Sequence, residues 1–131
     1  MLSRTRVPHP HGASFSSAVV VETADARWIY VSGQTLRDEP DRPVPADVGE
    51  QTDLCFGKID DVLGECGATM ADVTQITVYL TDLSDYASVA EARARAFADE
   101  LPSSAAVGVS TLLGDSVVEI SAVAVVARAR D

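Results

Sequence analysis

From Val117 to Ala127 the chain runs with a single charge, Glu119, and a single hydroxyl, Ser121. As a strand, successive side chains point to opposite faces. Val118, Ile120, Ala122, Ala124 and Val126 then line one face, and Val117, Glu119, Ser121, Val123 and Val125 the other. A strand largely apolar on both faces has to be covered on both, which places it inside a sheet.

The helices that could cover it are readable upstream. Val48, Thr52, Cys55, Ile59, Val62 and Cys66 recur at steps of four and three, one face of a helix from Asp47 to Cys66. Asp47, Glu50 and Asp53 suit its positive N-terminal end, and Gly67 is a natural stop. A second helix is expected over Asp85 to Glu100, capped by Ser84, with Tyr86, Val89, Ala90, Ala94 and Phe97 inward; Pro102 lies beyond its end. Strands are expected at Ala18 to Thr23 and Arg27 to Ser32, a hairpin, then at Val73 to Thr81 and Ala105 to Val109. The segment up to Ser14, broken by Pro8, Pro10 and Gly12, reads as irregular, and the proline-rich stretch Leu36 to Pro45 as a loop.

The order is β-β-α-β-α-β-β in one α/β (α+β) domain over residues 1–131, without repeat or linker. Two helices cover one face of such a sheet. The other still carries Val117, Val123 and Val125, and the simplest cover is another copy of the chain, which predicts a homo-oligomer.

Charge narrows the partners. The formal net charge is −10 and Lys58 is the only lysine. Such a chain is repelled by nucleic-acid phosphates and anionic membranes, and no dense Lys/Arg stripe offsets this. Neither nucleic acid nor membrane is therefore expected as a partner. Apolar runs fall short of the roughly 20 residues of a membrane helix, and Met1 to Pro8 has no apolar core of a secretory leader. Two cysteines make neither a disulfide framework nor a zinc site. Cys55 and Cys66, about 16 Å apart along one helix, are too far to bridge. Reduced core thiols and a cytoplasmic location are the expectation.

Certain words stand at fixed places in this layout: Phe15-Ser16, Val31-Ser32-Gly33-Gln34, Gln51, Gly67-Ala68-Thr69-Met70-Ala71-Asp72-Val73, Thr77-Val78-Tyr79-Leu80-Thr81-Asp82, Phe97, Leu101-Pro102 and Val118-Glu119-Ile120. None is specific alone. Their order and spacing along nearly the whole chain resemble the Rid (reactive intermediate deaminase, YjgF) family. The resemblance implies a chorismate-mutase-like fold in a homotrimer, with the free sheet faces forming a central barrel and a small-molecule ligand bound in clefts between subunits. It implies no cofactor.

The resemblance also assigns residues. Deaminating members read Pro-x-Arg-x-x-Val after the second helix, and the arginine clamps the carboxylate of a 2-imino acid. Here the segment is Pro102-Ser103-Ser104-Ala105-Ala106-Val107, so Ser104 takes the arginine's place and Ala106 that of a frequent cysteine. A serine hydroxyl cannot supply a positive charge, and losing a charged clamp costs a few kcal/mol, roughly a hundred-fold in binding. Glu119 matches the acidic residue thought to orient or activate the attacking water; the competing reading is a glutamate bonded to backbone or water near the trimer axis. Phe15, where many members have tyrosine, either lines the cleft or simply packs. Ser32 and Gly33 end a strand where a ligand can approach the backbone, unless Gly33 is a plain turn glycine.

His9 and His11 flank Pro10, but no third ligand is nearby, so no metal is expected. Arg93 and Arg95 read as solvated residues on the polar side of the second helix. The implied activity is binding of a small metabolite, with hydrolysis of an enamine- or imine-type C–N intermediate other than a simple 2-imino acid. The alternative is a metabolite-binding or scaffold trimer without chemistry. An RNA-cleaving translation inhibitor is disfavoured by charge.

Overall fold

In the computed structural model, residues 2–10, 12–36 and 44–128 are described. They form strands β1 (Ser3–Pro8), β2 (Ser16–Glu22), β3 (Ala26–Gln34), β4 (Val73–Leu80), β5 (Ser103–Gly108) and β6 (Val118–Ala127), with helices α1 (Val48–Glu65) and α2 (Tyr86–Phe97). All six strands make one sheet in the order β1-β2-β3-β6-β4-β5. Every pair is antiparallel except β4–β5, which α2 joins as the crossover a parallel pair requires.

The expected β-β-α-β-α-β-β order is therefore present, with one further strand in front of it. The segment read as irregular up to Ser14 contains β1, which pairs with β2 from Ser3↔Glu22 to Val7↔Ala18. Its side chains gave no signal because only Val7 is packed against the core. The strand is held by its ladder, and Arg4 and Arg6 suit an exposed edge. Of the expected 36–45 loop, residues 37–43 lie outside the described ones.

The last strand occupies the interior of the sheet, bonded to β3 on one side and β4 on the other. Val118, Ile120, Ala122 and Ala124 are buried under the helices, together with Ile29 and Val31 of β3 and Ile76, Val78 and Leu80 of β4. From α1 come Cys55, Phe56, Ile59 and Leu63, and from α2 Val89, Ala92 and Phe97. Phe56 and Phe97 meet edge to face, ring centres 5.2 Å apart, and so lock the two helices together.

Helix α1 is capped as its sequence suggests. Asp47 accepts from Gly49 N at 2.7 Å and Glu50 N at 3.3 Å. At the other end Gly67 takes a positive φ of 76°, and Ala68 N donates to Leu63 O at 2.9 Å, a Schellman closure. Buried Gln51 ties α1 to its surroundings, donating to Pro45 O at 2.6 Å and accepting from Val117 N at 3.2 Å.

Helix α2 departs from expectation. It starts at Tyr86 after a 3-10 turn, Leu83–Asp85, whose cap is Asp82 rather than Ser84. Ser84 instead donates to Asp82 from its backbone and hydroxyl, and those bonds hold the Asp82 carboxyl below its ordinary pKa. The helix is also rolled relative to the expected face: Ala92 is buried, while Tyr86 and Ala94 are exposed.

The opposite face of the sheet has no helix among the described residues. Val19 and Val21 of β2, Trp28 and Tyr30 of β3, and Val123 and Val125 of β6 share it by register and are half-buried or exposed.

Both thiols are free and buried. Burial pushes Cys55 up to about 12, with Lys58 opposing and Glu119 adding to the shift; burial also raises Cys66. At pH 8, about one Cys55 in ten thousand is a thiolate, so a disulfide-exchange reagent labels it only when the protein unfolds. Labelling of folded protein at the rate of free cysteine would contradict this burial. Ile59 is fully enclosed, and Ile59→Ala is expected to remove about 2–5 kcal/mol of stability in a urea titration, whereas exposed Leu113→Ala stays within about 0.5 kcal/mol.

Candidate functional site

The pairing of β3 with β6 is regular down to Val31↔Ala122 and resumes at Gln34↔Ile120. Ser32 and Gly33 therefore stand against the single residue Ser121, a bulge that re-aims the strand. Beyond it lies Glu119, half-buried and paired in register with Tyr79 of β4. The Glu119 carboxylate rests on Gly33 so closely that a Cβ there would sit 2.7 Å from Oε2 and 2.9 Å from Cδ. Gly33 lacks a side chain because Glu119 fills that space. At this glycine the close approach within one chain is made by a carboxylate of the chain itself. Among the described residues no hydrogen bond engages that carboxylate.

Ser32 and Phe15 are linked through the backbone. Ser32 Oγ donates to Ser16 O at 2.6 Å, fixing the start of β2 against the bulge. Phe15, the preceding residue, is 46% exposed and meets the His9 ring edge-on at 5.1 Å. Together with Arg6, Pro8 and Ser14 they line an open concavity of about 460 Å³. His11 lies outside the described residues. Among the described residues no group of three or more His, Cys, Asp or Glu is arranged to hold a metal ion.

The edge strand β5 divides the remaining candidates. Ser104 and Ala106 pair with Ile76 and Val78, both buried under the helices, so they face the helix side. Val107 pairs with Tyr79, the partner of Glu119, and so shares the open face with Glu119. Within one chain, then, Ser32, Gly33, Val107 and Glu119 belong to one face of the sheet and Ser104 and Ala106 to the other.

Arg93 corrects a reading. Its guanidinium is not simply solvated: Nη1 donates to Ser104 Oγ at 3.1 Å and Nη2 to Tyr86 Oη at 2.9 Å, with its centre 5.5 Å from the Tyr86 ring. Arg95, by contrast, is exposed and pairs with Asp53 at 3.1 Å. Tyr86 and Arg93 are seven residues apart, two helical turns on one face, whereas the expected face put Tyr86 inward and Arg93 on the polar side; the roll of α2 brings both over Ser104.

Because the atom facing Gly33 is the end of a flexible side chain, Gly33→Ala is expected to move the Glu119 carboxylate rather than the strand. Unfolding free energy should stay within about 1 kcal/mol of the parent, and a Glu119→Ala background should erase even that difference. An equal cost in both backgrounds would show that Glu119 is not what requires the glycine.

Comparison with known proteins identifies the family of the chain. The sequence profile described as Endoribonuclease L-PSP matches residues 8–126. The chain is 34% identical over 126 residues to a 2-iminobutanoate/2-iminopropanoate deaminase of Rattus norvegicus, covering 95% of this chain and 88% of that protein. It is 37% identical over 120 residues to a RutC family protein of Pyrococcus abyssi, covering 91% of each. Among solved structures, a YjgF/YER057c/UK114 family member from Mycobacterium tuberculosis superposes with a TM-score of 0.77 at 32% identity, over 95% of this chain and 100% of that one. Yeast Mmf1 superposes at 0.82 with 25% identity, over 94% and 98%. With the match running from the end of β1 nearly to the end of β6, the chain belongs to the endoribonuclease L-PSP family, also known as the YjgF or Rid family.

Proposed function

We propose that the protein binds a small metabolite in a cleft between copies of the chain and hydrolyses an imine- or enamine-type C–N intermediate there. The observation that carries this reading is the Glu119 carboxylate seated on Gly33, half-buried and without a hydrogen-bond partner among the described residues. A carboxylate so held can orient a water and accept its proton as the oxygen adds to the C=N carbon. That proton is returned to the nitrogen, giving a carbinolamine, and the carboxylate then takes the hydroxyl proton and passes it to the amine as the C=O bond forms. The C–N bond breaks, and carbonyl and ammonia leave. Backbone groups at Ser32, Gly33 and Val107 would hold the ligand, with Phe15 lining the cleft.

The division of candidates between two faces supports an intersubunit cleft. One copy would contribute Phe15, Ser32, Gly33 and Glu119, and its neighbour the β5 edge with Ser104 and Ala106. The apolar side chains left on the uncovered face, Val123 and Val125 among them, support a symmetric assembly, for which we propose the homotrimer. Relatives named as deaminases support the reaction class. A second reading, a trimer that binds a metabolite without chemistry, is favoured by the neutral Ser104 and Ala106. RNA as substrate remains disfavoured by the −10 charge.

The test is hydrolysis of imines generated in place by an amino-acid oxidase and trapped with semicarbazide. Glu119→Gln is expected to lower turnover by about 10²–10⁴-fold. Undiminished turnover in that variant would remove Glu119 from the reaction. Light scattering is expected to give about three times the 13.8 kDa chain mass; a monomer would remove the shared cleft.

A further inference from the structure

The connection between β1 and β2 carries an aromatic side chain that folding leaves open. Phe56 and Phe97 are each 4% exposed, whereas Phe15 is 46% exposed. Phe15 is nonetheless held in place. The His9 ring meets it at a steep angle, centres 5.1 Å apart and planes 63° apart. The turn that brings the two together closes at Gly12, which takes a positive φ of 70° and donates from its N–H to His9 O at 3.2 Å. A ring gripped by its neighbour yet nearly half exposed is a surface for another flat group, since aromatic pairs favour offset-stacked or edge-to-face contact.

Arg6 stands on the rim of the same concavity, with Pro8, Ser14 and Ser16. Its guanidinium has no ion pair and no side-chain hydrogen bond among the described residues, whereas Arg27, Arg95 and Arg128 all have acidic partners. A guanidinium stacks on the faces of aromatic rings, attracted by the negative charge of the ring face. The space of about 460 Å³ falls within the range of small-molecule sites. Ser16 joins this concavity to the Glu119 side of the sheet. Its carbonyl accepts from Ser32 Oγ at 2.6 Å, and Ser32 precedes the glycine on which Glu119 rests.

We propose that Phe15, His9 and Arg6 form an aromatic-binding subsite in the β1–β2 connection, and that it selects ligands whose non-reacting end is an electron-rich aromatic ring such as a phenol. The ring stacks on Phe15, His9 walls it on one side, and the Arg6 guanidinium covers it. The subsite gives the ligand of the proposed function a class of side chain, and it rests on that reading for its link to Glu119.

A matched pair of probes tests the subsite without any turnover. p-Cresol and its fully hydrogenated analogue share size and hydroxyl group, and only p-cresol is flat and aromatic. Their binding to the full chain would be followed by amide and side-chain NMR shifts. p-Cresol is expected to shift the signals of Arg6, His9 and Phe15 saturably, and to bind about 3- to 10-fold more tightly than the hydrogenated analogue, the weight of an aromatic contact. Phe15→Leu should remove that preference. Arg6→Gln should weaken p-cresol about 2- to 5-fold and leave the analogue unchanged. If Phe15→Leu does not fold, Arg6→Gln, a change at an exposed side chain, carries the test. The proposal is overturned by the absence of saturable p-cresol binding at these residues, by equal affinity for the two probes, or by p-cresol affinity unchanged in Phe15→Leu or in Arg6→Gln. p-Cresol binding as expected in a protein inert toward imines removes the hydrolytic reading and keeps the subsite; imine turnover without preference between the probes does the reverse.

Discussion

The architecture depends on β6 lying between β3 and β4. Its backbone is bonded on both sides, so the strand cannot shift register without breaking two ladders, and a slip by one residue would turn Ile120 outward and Glu119 into the core. The alternation of buried and half-buried residues from Val118 onward is thus fixed from both neighbours. Position 119 inherits that certainty. A carboxylate on a central strand is held more firmly than one on a loop.

A local irregularity shapes the surroundings of Glu119 on this rigid strand. The extra residue at Ser32–Gly33 interrupts the β3–β6 ladder where Glu119 emerges, and it brings backbone rather than side chain against the carboxylate. Ser32 turns its hydroxyl to Ser16 O and anchors the N-terminal end of β2 to the same spot. The bulge, the glycine and the acid are one arrangement: without the bulge Gly33 would not meet Glu119, and with any side chain at 33 the acid would have to move.

What could be read from the sequence follows from how each element is held. The strand β6 and helix α1 were legible because side-chain burial makes them, and burial writes a period into the sequence. Strand β1 was not, since its partner is the backbone of β2 and only Val7 contributes to the core. The face of α2 was misjudged by a small rotation, which hid Ala92 and freed Tyr86. That same rotation made Arg93 unreadable: its spacing from Tyr86 is local, but its meeting with Ser104 depends on how the crossover helix settles over β5. The Glu119–Gly33 contact lies between residues far apart in sequence, so the words were visible and their touching was not.

The two rims of the sheet are unlike. One, β1, projects Arg4 and Arg6, charges that resist the approach of a second identical rim. The other, β5, runs Ser103-Ser104-Ala105-Ala106-Val107-Gly108, exposed throughout and without a charge. A molecule guarded at one end and bare at the other has a direction in which its sheet can grow. A copy released from the proposed assembly would meet a further strand at β5 rather than at β1.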